Sequence, residues 1–423
     1  RKWIVMLQMR GPLGLVFLTI FLDLVGFGIL IPIAPFYAES FGALPSTITR
    51  LSATYSVMQF LFAPLMGRLS DRVGRRPVML ASIALNATGF LIFGFSSSLA
   101  WLFAARAASG LGSANLGTAQ AIVADVSTPE TRAKSMGVIG VAFGLGFILG
   151  PVLGGVFGRF GLTVPAFVAA GLSALNFVFA SWWLPETRWT QATAAAAAPG
   201  AATELPRVRY PLFSAALLKN ALARVNVPQL LWYYLVGTIG FSLMEQCLAL
   251  FIEHTWVQRT VGMDGDAHLR DAAWQTAKFL LLVGVTAAIV QGALIGRLVK
   301  VLGERRVMQA GIVLTGIGLA LLPLAAPNGF AAFMAAGPVI AIGTGMTSPT
   351  LSSLLSQSVD ATDFGGILGL GQSLSALGRV IGPSIAGALF EQSPTRPFWW
   401  ASAMTFSCAI VALTMRAGHR ADS

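Results

Sequence analysis

Apolar runs of about twenty residues recur along the whole of this chain, the length a helix needs to cross a hydrocarbon layer. The charge content agrees with that solvent. Of 423 residues 55% are hydrophobic and 11% charged, with a mean hydropathy of +0.74, whereas a soluble globular chain carries roughly a quarter charged residues. Disorder, a secreted disulfide scaffold and an ordinary cytosolic enzyme are excluded. The 46 glycines suit membrane helices, which tolerate glycine better than soluble ones do. The chain reads as a polytopic, all-α membrane protein.

Twelve spans are expected, at 12–37, 49–69, 78–96, 99–123, 135–159, 163–184, 229–252, 277–299, 307–326, 329–353, 365–390 and 397–415. Gly150-Pro151 and Gly382-Pro383 interrupt two of them, which neighbouring helices in a bundle accommodate. The net charge of +11 lies in short loops at span ends without interleaved aromatics, which argues against nucleic acid as a partner. With the N-terminus inside, twenty of the 28 basic residues fall on the inner side and six outside, while Arg106 and Arg379 lie within spans. Both termini are therefore expected to be cytoplasmic, and a bacterial inner (plasma) membrane is the expected location. The first run continues beyond a signal core and reads as a retained helix. Cys247 and Cys408 lie inside apolar runs and the three histidines are scattered, so no disulfide framework or metal site is expected.

The longest polar stretch, 186–228, contains the alanine run 194–198 followed by Pro199-Gly200. It reads as a cytoplasmic linker between six-span halves at 1–185 and 229–423. The halves repeat weakly. Gly67-Arg68-Leu69 with Gly74 and the closing Arg75 and Arg76 is echoed by Gly296-Arg297-Leu298 with Gly303, Arg305 and Arg306. Gly150-Pro151 with Gly155 is echoed by Gly382-Pro383 with Gly387. A pseudo-two-fold pair of six-helix bundles follows.

The loop GRLSDRVGRRP at 67–77 resembles the signature between helices 2 and 3 of the major facilitator superfamily. Its residues are Gly67, Asp71, Arg72, Gly74, Arg75 and Arg76. The resemblance implies that Asp71 faces the N-terminal end of helix 11 near Gly365-Gly366. It also implies that an arginine, Arg75, meets the acid ending helix 4, Asp125, and that these contacts gate the inner side. Basic loops also serve topology alone, and Gly67 suits close helix approach. Three further segments resemble the drug:proton antiporter branch, that of tetracycline and multidrug efflux proteins. LDLVGFGILIPIAPFY carries Asp23, Gly26, Gly28, Pro32 and Pro35; ARAASGLGSA carries Arg106, Gly110 and Gly112; GVAFGLGFILGPVLGG carries Gly140, Gly144, Gly146, Gly150, Pro151, Gly154 and Gly155. Gly146, Gly150 and Gly154 fall on one i, i+4 face, which admits close helix approach either as a static seam or as a moving one.

Four charges lie well inside spans: Asp23, Arg106, Glu245 and Arg379. Each is costly in hydrocarbon, by at least about 2.5 kcal/mol; they sum to zero, and the helix placement that the resemblance implies would pair Asp23 with Arg106 and Glu245 with Arg379. They read either as proton-exchanging groups or as static ion pairs. The expected cavity wall includes Phe27, Tyr55, Gln59, Asn115, Gln120, Tyr234, Phe241, Gln246, Met346 and Gln372, an aromatic and amide surface suited to bulky amphipathic solutes. No nucleophile–base pair, H-E-x-x-H or P-loop is present, so no enzyme and no ATP drive is expected. The reading is a monomeric proton-coupled exporter of drug-like or lipophilic molecules working by alternating access. Its only coupling ion is the proton, with no cofactor and no metal. An uptake carrier or lipid-type flippase on the same scaffold is the alternative.

Overall fold

The computed structural model of the chain describes residues 12–127, 132–187, 215–257, 266–359 and 364–415. Among them every regular element is helical. The helices are α1 (Pro12–Leu30), α2 (Ala34–Glu39), α3 (Pro45–Val73), α4 (Arg75–Gly94), α5 (Leu99–Gly112), α6 (Leu116–Asp125), α7 (Arg132–Gly158), α8 (Val164–Trp183), α9 (Ala215–Ala223), α10 (Val227–Trp232), α11 (Thr238–Trp256), α12 (Ala267–Ile289), α13 (Ile295–Leu302), α14 (Glu304–Ala325), α15 (Phe330–Gln357), α16 (Phe364–Gln392) and α17 (Arg396–Leu413). Each of the twelve expected stretches falls on helix. Among the described residues nine helical stretches are long and apolar enough to cross a membrane.

The differences from expectation have local causes. The first span is not one rod, because Ile31–Ile33 forms a turn between α1 and α2. Pro32 lies within it and Pro35 in the first turn of α2, and proline both lacks an N–H and disfavours helix at the residue before it. The fourth span is broken by a single 3₁₀ turn at Ser113–Asn115, and the seventh and eighth each contain a π-helical turn, at Tyr233–Gly237 and Val290–Leu294. Hydropathy cannot register a change of hydrogen-bond step, yet such turns often mark functional positions. The eighth span begins at Ala267, ten residues before its expected start, since a polar N-terminal extension of a helix carries no apolar signal. Within the expected linker α9 is helical, while the alanine run lies outside the described residues. So do both chain ends.

The chain divides into two compact units. Unit 1 comprises Arg1–Leu44, Thr54–Val208 and Arg259–Leu281; unit 2 comprises Pro45–Ala53, Arg209–Gln258 and Leu282–Ser423. The first turns of α3 fall in unit 2 because they pack on α16: the Ser46 N–H donates to Glu391 Oε1 at 2.9 Å and the Gly387 N–H to Thr49 Oγ1 at 3.2 Å. The first part of α12 falls in unit 1, where Ala277 and Trp274 lie against Gly155 of α7.

In lipid, helices associate through close packing of small residues rather than through loss of apolar surface from water. The α1–α7 contact in unit 1 shows this directly. A Cβ built on Gly150 would lie 2.6 Å from Gly28 Cα, and one built on Gly146 would lie 2.6 Å from Leu24 Cβ. Gly154 would meet the Ile29 carbonyl. The two backbones touch along one face of α7, and Pro151 lies within that unbroken helix.

Candidate functional site

Two polar clusters stand out in unit 1. The first lies where α3 turns into α4. Gly74 forms the turn at φ +118°, a conformation L side chains rarely adopt, and a Cβ there would overlap the Glu186 carboxylate. The first N–H groups of α4 have no cap in their own sequence, so a distant group must satisfy them. Glu186 does so: its Oε1 accepts from Arg75 N at 2.9 Å and its Oε2 from Arg76 N at 3.2 Å. An anion at this positive helix end is favourable.

The Arg75 guanidinium then spans the cluster. Its Nη1 donates to Asp71 Oδ1 at 2.6 Å and to Ser70 Oγ at 2.8 Å, and its Nε donates to Asp125 Oδ2 at 3.2 Å. Thr187 Oγ1 also donates to Asp125. Arg75 is 12% exposed and Asp125 17%, against 56% for Asp71. The Arg75–Asp125 contact is thus the sheltered one, and the i, i+4 contact with Asp71 is open to solvent. Arg72 lies exposed beside them, and the Arg76 guanidinium donates to the Ser181 carbonyl. The segment expected opposite Asp71 adjoins residues 360–363, which lie outside the described residues. Gly67 does not make the close approach expected of it, since a Cβ there would meet nothing within 4 Å.

The second cluster lies between α1, α6 and α8. Asp23 is half-buried and accepts two amide N–H groups, from Asn115 Nδ2 at 2.9 Å and Asn176 Nδ2 at 3.3 Å. Asn176 also donates to the Thr19 carbonyl at 3.2 Å. The expected pairing of Asp23 with Arg106 is not made. Asn115, level with Asp23, lies nine residues beyond Arg106, about 13 Å of helical rise, which a guanidinium does not span.

Arg106 is instead held by rings. Its Cζ lies 5.9 Å from the Tyr55 centroid and 5.7 Å from that of Phe93. Such contacts reach about 2 kcal/mol each when desolvated, enough to offset much of the cost of the buried charge. Phe27 packs on Tyr55 at 5.0 Å, and Gln59 donates to the Ser113 carbonyl at 3.1 Å.

Unit 2 carries the other buried acid. Glu245 on α11 is half-buried and Arg379 on α16 is exposed, close enough for its charge to act on the carboxylate. One turn of helix away, Ser375 Oγ donates to the Tyr234 carbonyl at 3.0 Å and accepts from Thr238 Oγ1 at 3.2 Å.

The residues expected to wall a cavity differ in exposure within their own units. Tyr234 and Met346 are core residues rather than wall: Tyr234 packs with Leu230, Leu351 and Ile367, and Met346 with Val290 and Val307. Gln120, Phe241 and Gln372 are exposed, Gln246 is half-buried, and Asn115 turns inward to Asp23. The expectations missed Glu186 and Asn176. An acid two residues past the sixth expected span was the available signal for Glu186. An amide in the middle of an apolar run was the signal for Asn176.

Helical bundles with charges set in their interiors have the architecture of a polytopic membrane transporter. The sequence profile of the Major Facilitator Superfamily matches residues 16–295 and 271–422, and the chain belongs to that family. It is 28% identical over 405 residues to the Escherichia coli tetracycline resistance protein, class B, covering 93% of this chain and 92% of the relative. It is 25% identical to multidrug resistance protein 2 of Bacillus subtilis (strain 168), over 90% of each chain. The crystal structure of the human organic anion transporter MFSD10 (TETRAN) superposes with a TM-score of 0.68 at 25% identity, covering 96% of this chain and 99% of that one.

Proposed function

We propose that this transporter is a monomeric, proton-coupled exporter of drug-like or lipophilic small molecules that works by alternating access. In this reading it has twelve spans, in bundles at 1–185 and 229–423 joined by the 186–228 linker. Both termini are cytoplasmic in a bacterial inner membrane. The observation that carries the coupling is Asp23, a carboxylate inside a membrane bundle whose partners are two neutral amides rather than a cation. An acid so placed exchanges a proton without first breaking an ion pair, and intramembrane acids of this kind mark proton relays. Glu245, within the field of Arg379, is the second acid of the cycle. The cluster around Arg75 acts as a lock on one conformation. That relatives are named for resistance to tetracycline and to multiple drugs supports export of drug-like molecules.

The test is accumulation of a fluorescent lipophilic dye in cells expressing the protein, with and without a protonophore. Export predicts reduced accumulation that the protonophore abolishes, whereas increased accumulation would mean uptake. Asp23→Asn should lose uphill transport while keeping exchange down a gradient, because the titrating group goes and the apolar surroundings stay. Normal uphill transport by both Asp23→Asn and Glu245→Gln would place the proton site elsewhere.

A further inference from the structure

Arg106 is a buried charge in unit 1 that makes no ion pair among the described residues. It is 6% exposed, and its Nε is buried with no hydrogen-bond partner. The acid expected to neutralise it, Asp23, is taken by Asn115 and Asn176. Tyr55 and Phe93 meet the positive charge with their ring faces, but a guanidinium carries five N–H donors and accepts nothing. Ring faces satisfy such donors poorly, and a buried donor left unmet is expensive. What the site lacks is a planar acceptor with negative charge, to which the guanidinium fork is matched.

The surroundings define what would carry that anion. Phe27 lies against Tyr55 at 5.0 Å, and Tyr37 against Phe93 at 5.4 Å. The two rings over the cation are thus each backed by a further ring, and such an aromatic surface favours an aromatic body through offset and edge contacts.

We propose that Arg106, with Tyr55 and Phe93, forms a substrate subsite for the carboxylate of an aromatic amphiphile. The inference deepens the export reading by giving its substrates an acidic group, but it is a statement about binding and is tested as one. Full-length protein purified in detergent is titrated with 2-naphthoate and with its neutral isostere 2-naphthamide, and thermal stabilisation reports occupancy. Charge-assisted hydrogen bonds predict that the acid acts at a concentration about tenfold or more below the amide. Arg106→Met should bring the two ligands level, and Arg106→Lys should keep a reduced preference for the acid. Should Arg106→Met fail to fold, Arg106→Lys and the native ratio still decide.

Equal action of acid and amide on the native protein overturns the proposal, as does a preference that survives in Arg106→Met. Stabilisation by inorganic phosphate without any by naphthoate would make the subsite one for a free anion and also overturn it. The export reading fails separately, through the protonophore experiment: naphthoate selectivity without proton-dependent export would leave the subsite standing and remove the direction.

Discussion

The turn from α3 into α4 and its repeat, the turn from α13 into α14, share a backbone and differ in chemistry. Both pivot on a glycine at positive φ, Gly74 at +118° and Gly303 at +79°, each at the start of the following helix. The charges around them are reversed: Asp71 and Arg75 in the first loop stand where Lys300 and Glu304 stand in the second. Arg75 reaches two carboxylates, Asp71 and Asp125. Glu304 instead accepts neutral donors, Ser353 Oγ and Gln357 Nε2, each at 2.8 Å. Charge-assisted bonds between two ions are the stronger kind. One turn is therefore fastened by ion pairs and the other by a carboxylate on neutral donors, although the chain path is repeated. The repeat preserves what the backbone needs and leaves the side chains to differ.

Removing the central charge should break that comparison most sharply. Arg75→Ala leaves the sheltered Asp125 without its cation and should cost about 3 kcal/mol, while Glu304→Ala, which removes an acceptor from two neutral donors, should cost about 1 kcal/mol. Thermal unfolding of the two purified variants measures the gap, and equal losses would mean the two turns are energetically alike. Next come the pivots. An alanine at positive φ costs about 1–2 kcal/mol at either position. At Gly74 it also meets Glu186, whereas at Gly303 a Cβ finds nothing within 4 Å. Gly74→Ala should accordingly unfold at the lower temperature; the reverse order would remove Glu186 from its capping role.

The two buried acids sharpen the same contrast between halves. A double-mutant cycle on Glu245→Gln and Arg379→Ala should show a coupling of about 1 kcal/mol or more, and the matching cycle on Asp23→Asn and Arg106→Met about zero. Coupling in the second cycle would restore the pairing that the geometry argues against. The smallest stability effect belongs to Asp71→Asn. Its contact with Arg75 is an i, i+4 pair that is mostly exposed, worth about 0.3–0.5 kcal/mol. Its melting temperature should hardly move while its transport turnover falls, if the residue gates. Unchanged turnover in a well-inserted Asp71→Asn protein would leave the loop a topology signal only.

Much of the fold was legible in the residues. Each apolar run is helical because length and hydropathy suffice when no other element satisfies its backbone in lipid. The α7 glycines announced a close helix contact, since three small residues at i, i+4 spacing make a flat face wherever they occur. Partners were less legible. Arg75 with Asp125 followed from the resemblance to a family signature, not from spacing. Asp23 with Arg106 was drawn from charge balance and from the helix placement that the resemblance implies, and that reasoning treated amides as neutral background. Asn115 and Asn176 show why it failed: a carboxylate in a bundle needs hydrogen-bond donors, and a neutral amide supplies them as well as a guanidinium does.

What the sequence by itself determined is the solvent, the helices, the two-fold repeat and the turns that require glycine. These depend on local length, polarity and backbone freedom, which travel with the chain. Tertiary structure alone decided which polar groups meet. It set Glu186 on the first N–H groups of α4, 111 residues away from Arg75 in the chain, and gave Asp23 two asparagines. It also placed Arg106 over the rings of Tyr55 and Phe93. Hydrogen bonds and cation–ring contacts act over a few ångströms. A difference of one or two helical turns therefore chooses the partner, and no periodicity in the sequence carries that height.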